Sequence, residues 1–358
     1  MEQPRSLVAN DFDDDGDIDI AVVSDWTWTM LILTNDGFGN FFISLPIALG
    51  SFPVAVSAGD LDGDNRVDLT VVNSTDDSIM TLMNDDKAQF NPHPVIELAD
   101  TPFDVIAADL DGDNAPEIIT ANGQGHGISV FSNSGEGTFT LAHINVVGAF
   151  PFRVIAADLD GDSDVDIAAV DPASERVAIL TNDGSGRFDT GPTIALGGFP
   201  RCMAASDIDN DGDVDLVVGD SSEDAIHVLT NDGHGTFFVD GLYDVGDRPI
   251  DIVLADFDGD GDDDVATAND DDDSVSILIN NGLAGFTLLP RFYPGEVTRA
   301  LSAADIDDDG DIDILTANGR TIGVSLNDGH GAFHVERQII AIGSSLAIVT
   351  ADVDGDGD

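Results

Sequence analysis

The sequence predicts an all-β protein, a seven-bladed β-propeller of four-stranded antiparallel blades, and three observations carry that prediction. An acidic phrase, Asp-x-Asp-x-Asp-(Gly)-x-x-Asp, recurs with its first Asp at Asp11, Asp60, Asp109, Asp158, Asp207, Asp256 and Asp305, and starts again at Asp352. Six successive intervals are 49 residues and the last is 47, a period that marks a stack or ring of one supersecondary unit. Each interval holds short β-type runs divided by turn residues, with no helix-period segment of ten or more residues.

In the first repeat, residues 7–9 lead into the acidic loop, 18–24 and 29–34 follow, and 41–48 close the unit. Between the third and fourth runs an Asn opens a turn in every repeat: Asn35, Asn84, Asn133, Asn182, Asn231, Asn280 and Asn327. Asn and the Gly that usually follows tolerate the positive φ of tight hairpin turns. A Phe falls six residues after each Asn (Phe41, Phe90, Phe139, Phe188, Phe237, Phe286, Phe333). That even offset suits an inward, core-filling position on the fourth strand. A repeated four-stranded meander has half-buried faces and unpaired edges, and radial closure resolves both. A parallel β-helix needs a shorter rung, and tandem sandwiches need about twice the residues. We therefore expect one propeller over residues 1–343, with 344–358 as the truncated start of a further repeat whose loop carries Asp352, Asp354 and Asp356.

Composition narrows the function. Hydrophobic residues make up 42%, enough for a core, so 70 acidic against 12 basic residues do not imply disorder. A formal charge of -58 excludes nucleic acid and anionic membrane surfaces as partners and favours cations. Seven divalent ions leave most of that charge in place, so many acids are ordinary solvated surface. Cys202 is the single cysteine, which excludes an internal disulfide framework and fits a small buried residue. No run of 18 apolar residues suggests membrane insertion. The start, Met-Glu-Gln-Pro-Arg, carries no signal sequence, and we expect a monomeric module within a longer chain.

The acidic loops read as cation sites. Counted from the first Asp, positions 1, 3, 5 and 9 offer side-chain oxygens and position 7 a backbone carbonyl, the way a short loop wraps a hard cation. The sets are Asp11, Asp13, Asp15, Asp17 and Asp19; Asp60, Asp62, Asp64, Arg66 and Asp68; Asp109, Asp111, Asp113, Ala115 and Glu117. The others are Asp158, Asp160, Asp162, Asp164 and Asp166; Asp207, Asp209, Asp211, Asp213 and Asp215; Asp256, Asp258, Asp260, Asp262 and Asp264; and Asp305, Asp307, Asp309, Asp311 and Asp313. Oxygen-only ligands, without His or Cys in any loop, favour Ca2+ over zinc or copper, about one ion per repeat and seven in all. An EF-hand would place a bidentate Glu at position 12, at the start of a helix. Here position 12 is Val22, Val71, Thr120, Ala169, Val218, Thr267 or Thr316, and the loop runs into a strand.

With the acidic loop, the Asn-Asp-Gly-x-Gly-x-Phe turn and a proline-containing lead-in all present, the chain resembles the FG-GAP and VCBS-type repeats. These form integrin α-subunit propellers and occur in many large secreted or surface proteins of bacteria. The resemblance covers nearly the whole chain and implies a propeller whose calcium loops join the first and second strands of each blade. Position 6 is Gly in Gly16, Gly212, Gly261 and Gly310 but Asn65, Asn114 and Ser163 elsewhere, and Pro116 and Glu117 alter the third loop. The second to fourth sites are therefore expected to be the weaker ones. Cytosolic calcium is too low to fill sites of this class, which implies an extracellular, secreted or cell-surface setting.

No catalytic constellation is visible. His234 and His330 share one turn position, His126 sits in a Gly-rich loop, and His93, His143, His227 and His334 are scattered. The scarce positive charge is more informative. Arg5, Arg153, Arg201, Arg248 and Arg299 lie five to eight positions before a loop Asp, on the lead-in to the innermost strand. That places them at the central mouth, on the face opposite the calcium loops, where they can grip an anionic group or merely offset the acidic field. Trp26 and Trp28 fall on or beside that face and serve ligand contact or packing between blades. The leading expectation is a calcium-binding extracellular adhesion or ligand-binding module whose protein or glycan partner sits at this mouth. A catalytic propeller acting on polysaccharide and a purely structural spacer are the alternatives.

Overall fold

A computed structural model describes residues 3–85, 87–98, 100–341 and 346–353. Seven antiparallel sheets follow one another along the chain, and in each the strands pair in sequence order from the first outward. Blade five shows the unit: Pro200–Ser206, Asp215–Asp220, Ala225–Asn231 and Phe237–Asp244. The first strands pack against one another in succession around the axis. This is the seven-bladed propeller that the repeat predicts. Asp354, Asp356 and the expected boundary at residue 344 lie outside the described residues.

Both faces of blades two to six are covered by neighbours, so their second strands are buried on both sides and do not alternate. Leu216, Val217 and Val218 are all fully buried. Between blades four and five, Ala168, Val170, Val177 and Ile179 pack against Leu216, Val218, Leu229 and Phe237. Each of the larger side chains contributes about 1.5–3 kcal/mol by leaving water. Six of the seven recurring Phe residues fill core: Phe90, Phe139, Phe188, Phe237, Phe286 and Phe333 each pack into an apolar cluster between blades, whereas Phe41 is half-buried and belongs to none of these clusters.

The fourth strands depart from the continuous runs expected. In blades one and two they break into Phe41–Ile43 with Ile47–Ala48 and Phe90–Pro92 with Ile96–Glu97. Pro46 and Pro94 fall in the gaps, where a missing N–H cannot join the ladder. Cys202 is a free, buried thiol, pushed up to about 12 chiefly by its burial. Among the described residues no helix is long and apolar enough to cross a membrane.

Candidate metal centres and the axial mouth

Each acidic loop links the end of a first strand to the start of a second, so all seven hang from one face of the ring. Position 9 is its anchor. In blade five, Asp215 is fully buried; one carboxylate oxygen accepts the N–H of Ile208 at position 2 (2.9 Å) and the other that of Asn231 (2.7 Å). The same double clamp recurs at Asp19, Asp68, Asp166, Asp264 and Asp313. Glu117 reaches both donors with its longer arm, at 2.9 and 3.3 Å. Burial drives these carboxyls up, to about 6 at Asp68, Asp166 and Asp215 and about 7 at Asp264. The amide donors oppose that rise and neighbouring carboxylates add to it.

The amide donor closing this clamp belongs to the Asn that the sequence marks only as a turn residue. Its side chain does more. Asn231 Nδ2 donates to the carbonyl of Val214 in its own loop (3.0 Å) and to that of Leu159 in the preceding blade (2.8 Å). Asn84, Asn133, Asn182, Asn280 and Asn327 make the equivalent bond to Phe12, Leu61, Leu110, Ile208 and Phe257. The Asn is thus an interblade staple. Its presence in all seven repeats, while the residues after it vary, is the sequence signal of that second duty.

Position 1 ties the loop to itself. Asp207 accepts the N–H groups of Asp211 (3.1 Å) and Gly212 (3.0 Å), and Asp211 accepts that of Asp213 (3.0 Å). Position 6 has positive φ in all seven complete loops, including Asn65 (66°), Asn114 (68°) and Ser163 (77°). Position 4 is a second left-handed site that the pattern hid, because Asp14, Asn210 and Asp308 occupy it in three loops.

The loops fit a hard cation. Carboxylate oxygens of Asp11, Asp13 and Asp15 come within 4.8 Å of one another, as do those of Asp60, Asp62 and Asp68, of Asp109, Asp111 and Glu117, and of Asp158, Asp160 and Asp166. At position 3, Asp13, Asp160 and Asp258 each keep one buried oxygen with no hydrogen-bond partner. Burial and the charges of Asp19, Asp15 and Asp11 push Asp13 up to about 6. Crowded, orphaned, oxygen-only donors are what a calcium-class ion satisfies. The second loop differs, because Arg66 brings its own cation: the guanidinium donates to Asp64 and, through Nε, to the Asn84 carbonyl (2.9 Å).

At the opposite end of the first strands a cavity of about 370 Å³ opens on the axis, and the five arginines do converge there. Arg153 lies 3.9 Å from Asp104, Arg299 3.5 Å from Asp270, and Arg248 3.4 Å from Asp270 and 2.9 Å from Asp271. Burial pushes the carboxyls of Asp104 and Asp251 up, and Arg153 partly offsets this. Among the described residues no carboxylate lies within ion-pair distance of Arg5 or Arg201. Arg201 instead sits 5.8 Å from the ring of Phe152. Burial, then repulsion from neighbouring guanidinium groups, pulls both arginines below the usual range, although Asp25 partly supports Arg5. Trp26 and Trp28 are 65% and 49% exposed in the turn after the second strand of blade one, so neither packs between blades, and neither lines the cavity.

One pair escaped notice in the sequence. His227, on the third strand of blade five, is buried with Nε2 3.7 Å from Asp220 Oδ2. Burial raises the Asp220 carboxyl, but His227 and the amides of Phe199, Ser222 and Glu223 outweigh it and hold it at about 2.

Comparison with known proteins agrees with the repeat. A family model described as FG-GAP-like repeat matches residues 11–71, 60–120, 109–169, 158–218, 207–267, 256–316 and 305–358. No curated protein matches the chain. Among solved structures, a lectin of Agrocybe aegerita that recognises non-reducing terminal N-acetylglucosamine is similar, with TM-score 0.57 and 18% identity over 92% of this chain and 93% of that one. The biofilm matrix protein Bap1 of V. cholerae gives 0.66 and 13%, over 99% and 83%. The dihydro-heme d1 dehydrogenase NirN gives 0.64 and 12%, over 94% and 66%. At these identities the likeness is one of fold.

Proposed function

The chain belongs to the family of FG-GAP-like repeat proteins, and we propose that it is a calcium-stabilised extracellular binding module whose acidic loops are scaffold and whose arginine-lined mouth is the working face. One observation carries the reading: in a chain of charge -58 with 12 basic residues, five arginines line a single cavity. Among the described residues, two of them, Arg5 and Arg201, have no carboxylate within ion-pair distance. Guanidinium groups held together this way favour a ligand with an anionic group, and their planar donors suit a carboxylate, from a protein side chain or an acidic sugar. The lectin, which recognises a terminal N-acetylglucosamine, supports the idea that such a ring serves recognition.

In the scaffold, the position-1, position-3 and position-5 oxygens with the position-9 clamp would hold Ca2+. The ion would supply the positive charge that the crowded carboxylates lack. The class of site requires millimolar calcium, which supports a setting outside the cell.

The test is binding to an array of acidic and neutral glycans, with the double variant Arg5→Ala and Arg201→Ala beside the parent chain. Acid-dependent binding that the variant loses supports the mouth. Binding that the variant retains in full retires it.

A further inference from the structure

The last seam of the ring is not blade seven against blade one. Residues 346–353 run between them along the axis, and Leu346, Ala347 and Ile348 line the mouth with Arg5 on one side and Arg299 on the other. Their register is set by two bonds. On the blade-seven side, Ser302 Oγ meets Thr350 Oγ1 at 2.9 Å. Ser57 holds the same position in blade two and accepts the N–H of Ala107, the third-blade residue to which Thr350 corresponds once the shorter last interval is counted. On the blade-one side, the Asn35 side-chain amide donates to the carbonyl of Val353. In blades two to seven the staple Asn reaches position 2 of the preceding loop. A ring closing seven onto one would send Asn35 to Ile306. It goes instead to position 2 of the eighth acidic loop.

We infer that the ring has eight stations, that residues 346–353 fill the innermost strand of the eighth, and that the space outside them is a docking slot for a three-stranded β-meander of the same repeat type. The flanks are apolar and incompletely covered. Ala21, Val23, Met30 and Ile32 of blade one pack toward blade two, so Ile20, Val22, Leu31 and Leu33 face the slot, and all four are only half-buried. Their counterparts Leu216, Val218 and Leu229 in blade five are fully buried. In blade seven, Ile314 packs toward blade six, which leaves Leu315, Ala317, Ile322 and Val324 on the face toward the slot; Leu315 and Ile322 are half-buried there, while Ala317 and Val324 are buried. Residues 346–353 form no ladder, whereas every other first strand pairs with a second. An apolar slot with an unpaired backbone edge at its base requires β-strands of matching pattern.

Blade five supplies the probe. Residues 214–244 joined directly after Asp358 continue the eighth loop from position 7 into position 8 and add the second, third and fourth strands. In millimolar calcium the fused chain is expected to melt about 5 °C or more above the parent. Amide exchange in Asp19–Ser24 and Thr29–Asn35 should slow with it. A control fusion with Leu216, Val217, Val218, Ile226, Val228 and Leu229 changed to Ser should do neither. Equal melting and exchange in parent and fusion overturns the proposal, and so does a parent chain that dimerises with those two strands already protected. The unfused chain gives an independent check: Asn35→Ala should expose residues 346–353 to limited proteolysis while the blades stay folded. Unchanged resistance there overturns the register.

Discussion

Asn231→Ala separates a turn residue from an interblade staple. If Asn231 serves only the turn, Ala costs a fraction of a kcal/mol. The structure gives it two side-chain bonds, to Leu159 and Val214, in a site where the residue is 5% exposed. Each neutral bond contributes about 1 kcal/mol, and a buried carbonyl left without a donor adds about 1–3 kcal/mol. The Asn231 Oδ1 has no partner, so its loss subtracts nothing. The expected cost is about 3 kcal/mol in all. For 358 residues that lowers the melting temperature by about 4 °C. Guanidinium unfolding in millimolar calcium, followed by circular dichroism, measures it. Asn231→Asp keeps the shape but turns a donor into an acceptor facing two carbonyls, so it should cost at least as much. A loss below about 0.5 kcal/mol for both variants, the range of an ordinary surface change, refutes the staple.

Two further predictions concern single residues. Ser163 holds φ of 77° at position 6, and Ser163→Gly should stabilise the chain by about 1 kcal/mol in the same denaturation assay, since glycine adopts that region without a Cβ penalty. Asp220, held at about 2 against an unfolded carboxyl near 4, contributes about 2.5 kcal/mol that is fully present above pH 4 and is lost as pH falls through 2. Asp220→Ala should therefore destabilise by that order at pH 7 and by much less at pH 2, measured by urea unfolding at the two pH values.

Much of the fold is legible because its determinants are local. The 49-residue interval, the staple Asn and the Phe six residues later specify strand order, turn and core within one repeat. What escapes is what ring closure brings together. The Asn231 bond to Leu159 spans 72 positions, and no window of one repeat contains both partners. Position 9 reads as a ligand, yet its first duty is to hold two amides. Converging arginines could be placed at the mouth from their position on the first strand. Their pairing with Asp104 and Asp270 could not, since it depends on how blades are set around the axis. Arg66 is the reverse case, visible in the sequence at position 7 and intelligible only once its guanidinium is seen on Asp64.

Thermal unfolding with calcium titrated against a chelator tests the central claim most directly. With seven sites of dissociation constant near 0.1 mM and about 2 mM free calcium, linkage gives roughly 1.8 kcal/mol per site and about 12 kcal/mol together. Spread over 358 residues, that predicts a melting temperature about 15 °C higher in calcium than in chelator. Superimposable melting curves in calcium and chelator contradict it.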